Sequence, residues 1–152
     1  MRCLLGLLLC LFAVADAAAQ SAPPHAWLFG VWTGGLFPAP RHPTAAECLA
    51  HPTVIFTQDV VLRATVTDVT YAQRVVATAR TVGNNTDFTF APAEAGPGAG
   101  TDPLTGLPAG GIRPGFGCGS PDALRVHRIT ADEISFPGCA DFPSPLVRCP
   151  AR

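Results

Sequence analysis

Residues 68–83 read DVTYAQRVVATARTVG, and whether they form a helix or a strand decides the fold. The stretch holds no proline, and its one glycine is the last residue. Val69, Ala72, Val75, Val76, Ala79 and Val82 recur at helical spacing, which leaves Thr70, Gln73, Arg74, Arg80 and Thr81 on the opposite face. Asp68 is a good N-cap, Gly83 a good C-cap, and Arg80 falls near the carbonyl end, where a cation is favoured. The spacing predicts an amphipathic helix over 69–82, although valine and threonine are poor helix formers.

Both flanks of this segment read as strand. Upstream, TVIFTQDVVLRATVT (53–67) places Val54, Phe56, Val60, Leu62, Ala64 and Val66 on one parity, with Arg63, Thr65 and Thr67 on the other. Gln58-Asp59 interrupts the apolar face, so the stretch is either two strands joined by a tight turn or one strand with a bulge. Downstream, Asn84-Asn85-Thr86 is formally a glycosylation sequon, and it also reads as the turn leading from Gly83 into the strand TDFTF, where Thr86, Phe88 and Phe90 share a face.

Further toward the N-terminus, FGVWTGGLFPAP (29–40) follows Trp27 and Leu28. A strand starting near Trp27 puts aromatic residues on both faces, Gly34-Gly35 can bend the chain, and Pro38 and Pro40 end the strand. In PTAAECLAHP, Thr44 and Glu47 have the spacing of a capping box and Pro52 stops the chain after His51, which predicts a short helix over about 45–50 carrying Cys48. From Ala91 to Pro121 the chain holds 9 Gly and 6 Pro in 31 residues, too many for a regular element. A loop this long is functional or flexible, with Ile112 and Phe116 able to dock its later half near Cys118. ALRVHRIT, a turn at Ala131-Asp132, EISFPG and PLVRC then form a hairpin and a last strand, with Leu124 and Val126 on one parity and Ile134 and Phe136 on one parity.

The expected fold is α+β and mainly β. It is a single small domain, a curved and mostly antiparallel sheet or small barrel of about six or seven strands, with the 69–82 helix covering an open face or end.

The first 19 residues, MRCLLGLLLCLFAVADAAA, combine Arg2, an apolar run from Cys3 to Ala15 and a small-residue site at Ala17-Ala18-Ala19. They read as a signal peptide, and 20–152 as one exported domain with a Gly/Pro-rich loop at 91–121. The apolar run is shorter than the roughly 20 residues a spanning helix needs, so no transmembrane segment is expected in the mature chain. Without Arg2 and Asp16, nine arginines face ten acidic residues, and no basic run offers a nucleic-acid surface. Lysine is absent while alanine and arginine are plentiful, a bias that fits a GC-rich bacterial genome and hence a periplasmic or secreted protein.

Four cysteines remain after cleavage, Cys48, Cys118, Cys139 and Cys149, and an even number in an exported chain reads as two disulfides. Three connectivities are open. Closing the short loop CADFPSPLVRC favours Cys139 with Cys149, which leaves Cys48 for Cys118. The competing chemistry is thin: glycines flank Cys118 but no base is near it in sequence, and a metal site from His42, Cys48, His51 and His127 lacks paired ligand motifs. His51 has a plainer role at a helix C-terminus. No serine-nucleophile elbow, HExxH or phosphate loop is present, and Asp132-Glu133 reads as a solvated turn, so no enzyme activity and no cofactor are expected.

Gly30-x-Trp32 on a first strand resembles the N-terminal signature of lipocalins and their barrel relatives. The resemblance implies a barrel end closed by Trp32 beneath an arginine from a late strand, for which Arg148 is the counterpart. The other reading of Trp32 is an anchor of an ordinary small core. Three functions follow. The first is a non-catalytic module for protein interaction or inhibition, meeting an extracytoplasmic protein through the 91–121 loop. The second is a lipocalin-like carrier of a small apolar ligand, lined by Trp32, Phe56, Phe88 and Phe90 with Arg148. The third is a metal-binding protein or enzyme using His42, Cys48 or His51.

Overall fold

The computed structural model describes residues 22–50, 53–64, 71–92 and 115–150. Eight strands form one closed antiparallel barrel in simple chain order: β1 (Gly30–Gly34), β2 (Thr53–Phe56), β3 (Val60–Ala64), β4 (Tyr71–Val82), β5 (Asn85–Phe90), β6 (Ala123–Arg128), β7 (Glu133–Ser135) and β8 (Leu146–Arg148). Each strand pairs with its neighbours in sequence, and β8 closes on β1 through Trp32↔Arg148, Thr33↔Val147 and Gly34↔Leu146. Closure leaves no open sheet edge to template association. Among the described residues the helical parts are one 3₁₀ turn (Ala26–Leu28) and α1 (Ala45–Ala50). The capping box forms as expected: the Glu47 amide donates to Thr44 Oγ1 at 3.3 Å, and the Thr44 amide donates to Glu47 Oε2 at 2.7 Å.

The expected helix over 69–82 is corrected: residues 71–82 are β4, the longest strand, and 69–70 lie outside the described residues. The physical reason is a register shift between Val76 and Thr78. Before the shift the inward residues are Ala72, Arg74 and Val76; after it they are Ala79 and Thr81. A β-bulge adds one residue to the inward spacing. The apolar members of the inward set, Ala72, Val76 and Ala79, therefore fall four and three apart, which is helical spacing produced by a strand. Gly83, at φ +58°, serves the tight turn to β5 instead of capping a helix.

A second correction concerns 53–64. The stretch is two strands, and Thr57 and Val60 face each other across a tight turn, the Thr57 amide donating to Val60 O at 3.0 Å. Phe56 is therefore opposite Val61, and an even-numbered inward residue meets an odd-numbered one. Val54 and Phe56 point in on β2, whereas Val61 and Arg63 point in on β3, leaving Val60, Leu62 and Ala64 outside. The single parity expected across the segment cannot survive a two-residue turn. The first strand also begins later than expected, because 26–28 form the 3₁₀ turn and the chain becomes extended only from Gly30.

Thr86, Phe88 and Phe90 of β5, Leu124 and Val126 of β6, and Ile134 with Phe136 fill the interior as their alternation predicts. The disulfides are Cys48–Cys149 and Cys118–Cys139, which corrects the expected pairing. The preference for a short closed loop failed because Cys149 lies against β1, its amide donating to Val31 O at 2.8 Å. The segment from Gly35 to α1 folds back over the outside of β7 and β8, where Pro38, Ala39, Arg41 and His42 face Glu133, Pro145 and Val147 across a groove. That return brings Cys48 to Cys149. The bridges span separations of 101 and 21 residues, and in the chain-entropy picture they contribute about 4 to 5 and about 3 kcal/mol. Two disulfides point to an oxidising, extracytoplasmic compartment.

The bend after β1 needs glycine. Gly35 sits at φ +86°, exchanges backbone hydrogen bonds with Ser144 and Pro145, and has the ring of Phe142 in the space a Cβ would take. Gly35→Ala combines a disfavoured backbone region with a clash in a packed end, and should lower unfolding free energy by about 1 to 3 kcal/mol. A reduced urea midpoint with unchanged slope is the expected reading.

Candidate functional site

One end of the barrel is closed by the chain before β1. Trp32, fully buried on β1, donates from Nε1 to Leu28 O at 2.8 Å. Arg148 on β8 lies over its indole with Cζ 4.2 Å from the ring centroid. The same guanidinium donates to Phe29 O at 2.9 Å and Trp27 O at 2.6 Å, and its Nε meets Asp132 at 3.3 Å. Burial pulls the Arg148 pKa below its ordinary value while Asp132 pulls it back. Trp32 and Arg148 thus meet in the arrangement the lipocalin resemblance implies. Trp27 Nε1 donates to Thr86 Oγ1 at 3.2 Å with Arg128 over its ring, and His25 Nε2 reaches the carbonyls of Thr57 (3.2 Å) and Gln58 (3.1 Å).

Between the ends the barrel is packed with rings. Phe56 and Phe88 lie 5.7 Å apart, Phe88 and Phe90 stack at 6.1 Å, and Phe90 and Phe116 stack at 5.8 Å. Phe116 meets Phe136 edge-on at 5.7 Å, and Phe136 meets Phe142 at 5.1 Å. The proposed lining residues Trp32, Phe56, Phe88 and Phe90 are each 2% exposed or less, and they face one another or the plugs. Aromatic contacts at these distances are native core packing.

The opposite end is polar and was not foreseen. Arg74, inward on β4 and 3% exposed, donates to Pro121 O at 2.8 Å, contacts Ala91 O at 3.4 Å, pairs with Asp122 at 2.5 Å and lies 5.2 Å from the Phe90 centroid. Arg63, inward on β3, donates to Gly115 O, pairs with Asp141 at 2.7 Å and stands 5.1 Å from the Phe142 centroid. Ala91, Gly115 and Pro121 belong to the two stems of the long β5–β6 connection, whose residues 93–114 lie outside the described ones. Cys118–Cys139 and the buried Phe116 fix the returning stem to the segment after β7. Two inward arginines, one disulfide and one aromatic plug therefore clamp the base of this connection. Alternation alone hid them, because an arginine at an inward position reads as the solvent face until the register is known.

The remaining candidates are dispersed. All four domain cysteines are in disulfides, so Cys48 offers no thiolate and Cys118 no nucleophile. His42 lines the outer groove beside Arg41 and Asp132, His127 Nδ1 is 2.9 Å from Asn85 Oδ1 on the outer wall, and His51 lies outside the described residues. Among the described residues, no three His, Cys, Asp or Glu side chains gather in a way that could hold a metal ion. On the outer wall Arg125 bridges Asp87 at 2.6 Å, a hydrogen bond that holds the Asp87 carboxyl below its usual range. Among the described residues no helix is long and apolar enough to cross a membrane.

Comparisons with protein-family models, with curated proteins and with solved structures return no match to this chain. The geometry is that of a small disulfide-bonded β-barrel, compatible with a lipocalin-like fold.

Removing Arg74 leaves Asp122 and two stem carbonyls without their cation. Arg74→Met should cost about 1 to 3 kcal/mol, because the stem carbonyls lose a charged donor while Asp122, 37% exposed, keeps its contact with water. Amide exchange should rise first at Asp122 and Ala123, beside the clamp.

Proposed function

We propose that this chain is an exported, non-catalytic interaction module, of the protein-binding or inhibitor-like kind, whose contact is the β5–β6 connection displayed from the arginine-clamped end. One observation carries the reading: Arg74, a single buried cation, contacts both stems of that connection, Ala91 O on the way out and Pro121 O on the way back. Fixing both stems lowers the ordering cost of binding through the segment between them. Rigid scaffolds presenting loops are a common basis of recognition. Residues 1–19 act as the signal peptide in this reading, and the disulfides suit the compartment it leads to.

The carrier reading is supported by the Trp32–Arg148 closure. A carrier needs enclosed empty space, commonly hundreds of Å³ for a drug-sized ligand. Here Phe56, Phe88, Phe90, Phe116 and Phe136 occupy the volume such a ligand would take. The interaction reading is therefore preferred.

Replacing residues 95–110 by a short Gly/Ser linker tests it. The barrel should keep its near-ultraviolet circular dichroism and both disulfides, while extracytoplasmic partners captured by the full chain are lost. Unchanged capture would sink the proposal, and reproducible co-purification of a lipid or pigment in native mass spectrometry would favour the carrier.

A further inference from the structure

One groove on the outside of the barrel holds opposite charges apart. The segment from Gly35 to α1 is tied to β8 at both ends: Gly35 exchanges backbone hydrogen bonds with Ser144 and Pro145 just before the strand, and Cys48 is bridged to Cys149 just after it. Between those anchors, a groove of about 550 Å³ separates the segment from the barrel wall. Its floor is Val147, which points outward on β8 beside Glu133 of β7. Arg41 and His42 line the groove from the segment, and Asp132 and Glu133 line it from the barrel. Arg41, His42 and Glu133 make no side-chain hydrogen bond or ion pair among the described residues. The Asp132 carboxylate meets Arg148 Nε at 3.3 Å, with its side chain 73% exposed. Elsewhere on this surface facing charges close on each other, Arg125 on Asp87 at 2.6 Å and Arg63 on Asp141 at 2.7 Å.

We propose that this groove binds a small zwitterion of the short-peptide type, its ammonium on Glu133 and Asp132 and its carboxylate on Arg41 and His42. Charges of opposite sign that face each other without meeting are bridged by a molecule that carries both. The apolar middle of such a ligand rests on Val147, between Pro38 and Pro145. Sign also selects against simpler ligands: an anion without an ammonium faces two carboxylates, and a cation without a carboxylate faces Arg41. The volume falls within the range of small-molecule sites, about 300 to 1,000 Å³. The two anchors, one of them covalent, hold the cationic side at a fixed spacing from the acidic side before any ligand arrives, which lowers the ordering cost of binding. The groove contains no residue of the β5–β6 connection, so the inference goes beyond the proposed function and does not depend on it.

Amide chemical shifts of the exported, disulfide-intact protein, followed through a titration with the tripeptide alanyl-prolyl-alanine, test it. A saturable change should centre on residues 39–42, 130–133 and 146–148. Acetylating the peptide's amine or amidating its carboxylate should each weaken binding about fivefold, the worth of one partly screened ion pair. Glu133→Gln should weaken the free tripeptide by the same factor and leave the affinity of the acetylated one unchanged. Arg41→Gln should do the same for the amidated peptide. Arg80→Gln, on the β4 wall beside Asp87, should change neither. Should either groove variant misfold, the two blocked peptides on the wild type decide the matter without it. No saturation by about 20 mM peptide, blocked peptides that bind as well as the free one, or shifts centred outside the groove would overturn the inference.

Discussion

Closure of the barrel depends on Arg148 lying against Trp32. β7 and β8 have three residues each, and β8 meets β1 over three residue pairs, so the seam has few ladder hydrogen bonds to hold it. Arg148 compensates by bonding at once to the indole face on β1 and to the carbonyls of Trp27 and Phe29 before it. A partly exposed cation over a tryptophan contributes roughly 1 kcal/mol, and charge-assisted bonds to two carbonyls add to that. Cys48–Cys149, one residue beyond Arg148, ties the end of β8 covalently to α1 in the β1–β2 connection. The shortest strands thus carry the densest set of non-ladder restraints.

Much of the wall was legible in the sequence, and the illegible parts share a cause. Alternation located β5, β6 and β7 with their inward residues, because each is a short strand with one uninterrupted register. The capping box located α1. β4 was misread as helix because its bulge spaces Ala72, Val76 and Ala79 as a helix would, and because its most buried inward residue is arginine. β3 was assigned the wrong inward face because a two-residue turn exchanges odd for even. A bulge and a turn are single-residue events, whereas periodicity is a property of a window, so the shift in phase disappears into the average. Disulfide partners were hidden for a different reason: they depend on where the 35–50 excursion returns, and local sequence holds no signal for that.

The site was legible in part. Gly30-x-Trp32 with Arg148 marked the closed end, and the three residues lie where the resemblance implied. The aromatics proposed as a ligand lining are inward, yet alternation reports only which way a side chain faces. Whether six phenylalanines leave a cavity or fill one depends on the plugs, and Phe116 and Phe142 come from segments with no regular structure. The clamp of Arg63 and Arg74 could have been suspected only after the strand registers were fixed.

Those two arginines change what the barrel can be used for. A charge inside a packed barrel is tolerated only where its desolvation is offset by a carboxylate and by carbonyls with no other partner. The structure meets that condition at one end, with Asp122, Asp141 and the carbonyls of Ala91, Gly115 and Pro121, all of them outside the strands. The groups that satisfy the arginines are therefore the stems of the β5–β6 connection and the segment after β7, not a ligand. An end organised around its own loop bases has its carbonyls and carboxylates matched, and the buried Arg63 Nε is the one donor there without a partner among the described residues, which leaves little to orient a small molecule entering there. What it offers instead is a fixed platform. The interior holds the platform rigid through the run from Phe56 to Phe116, and Cys118–Cys139 keeps the returning stem from sliding along it. Filling the barrel and anchoring the connection are the same structural act, because Phe116 belongs to both.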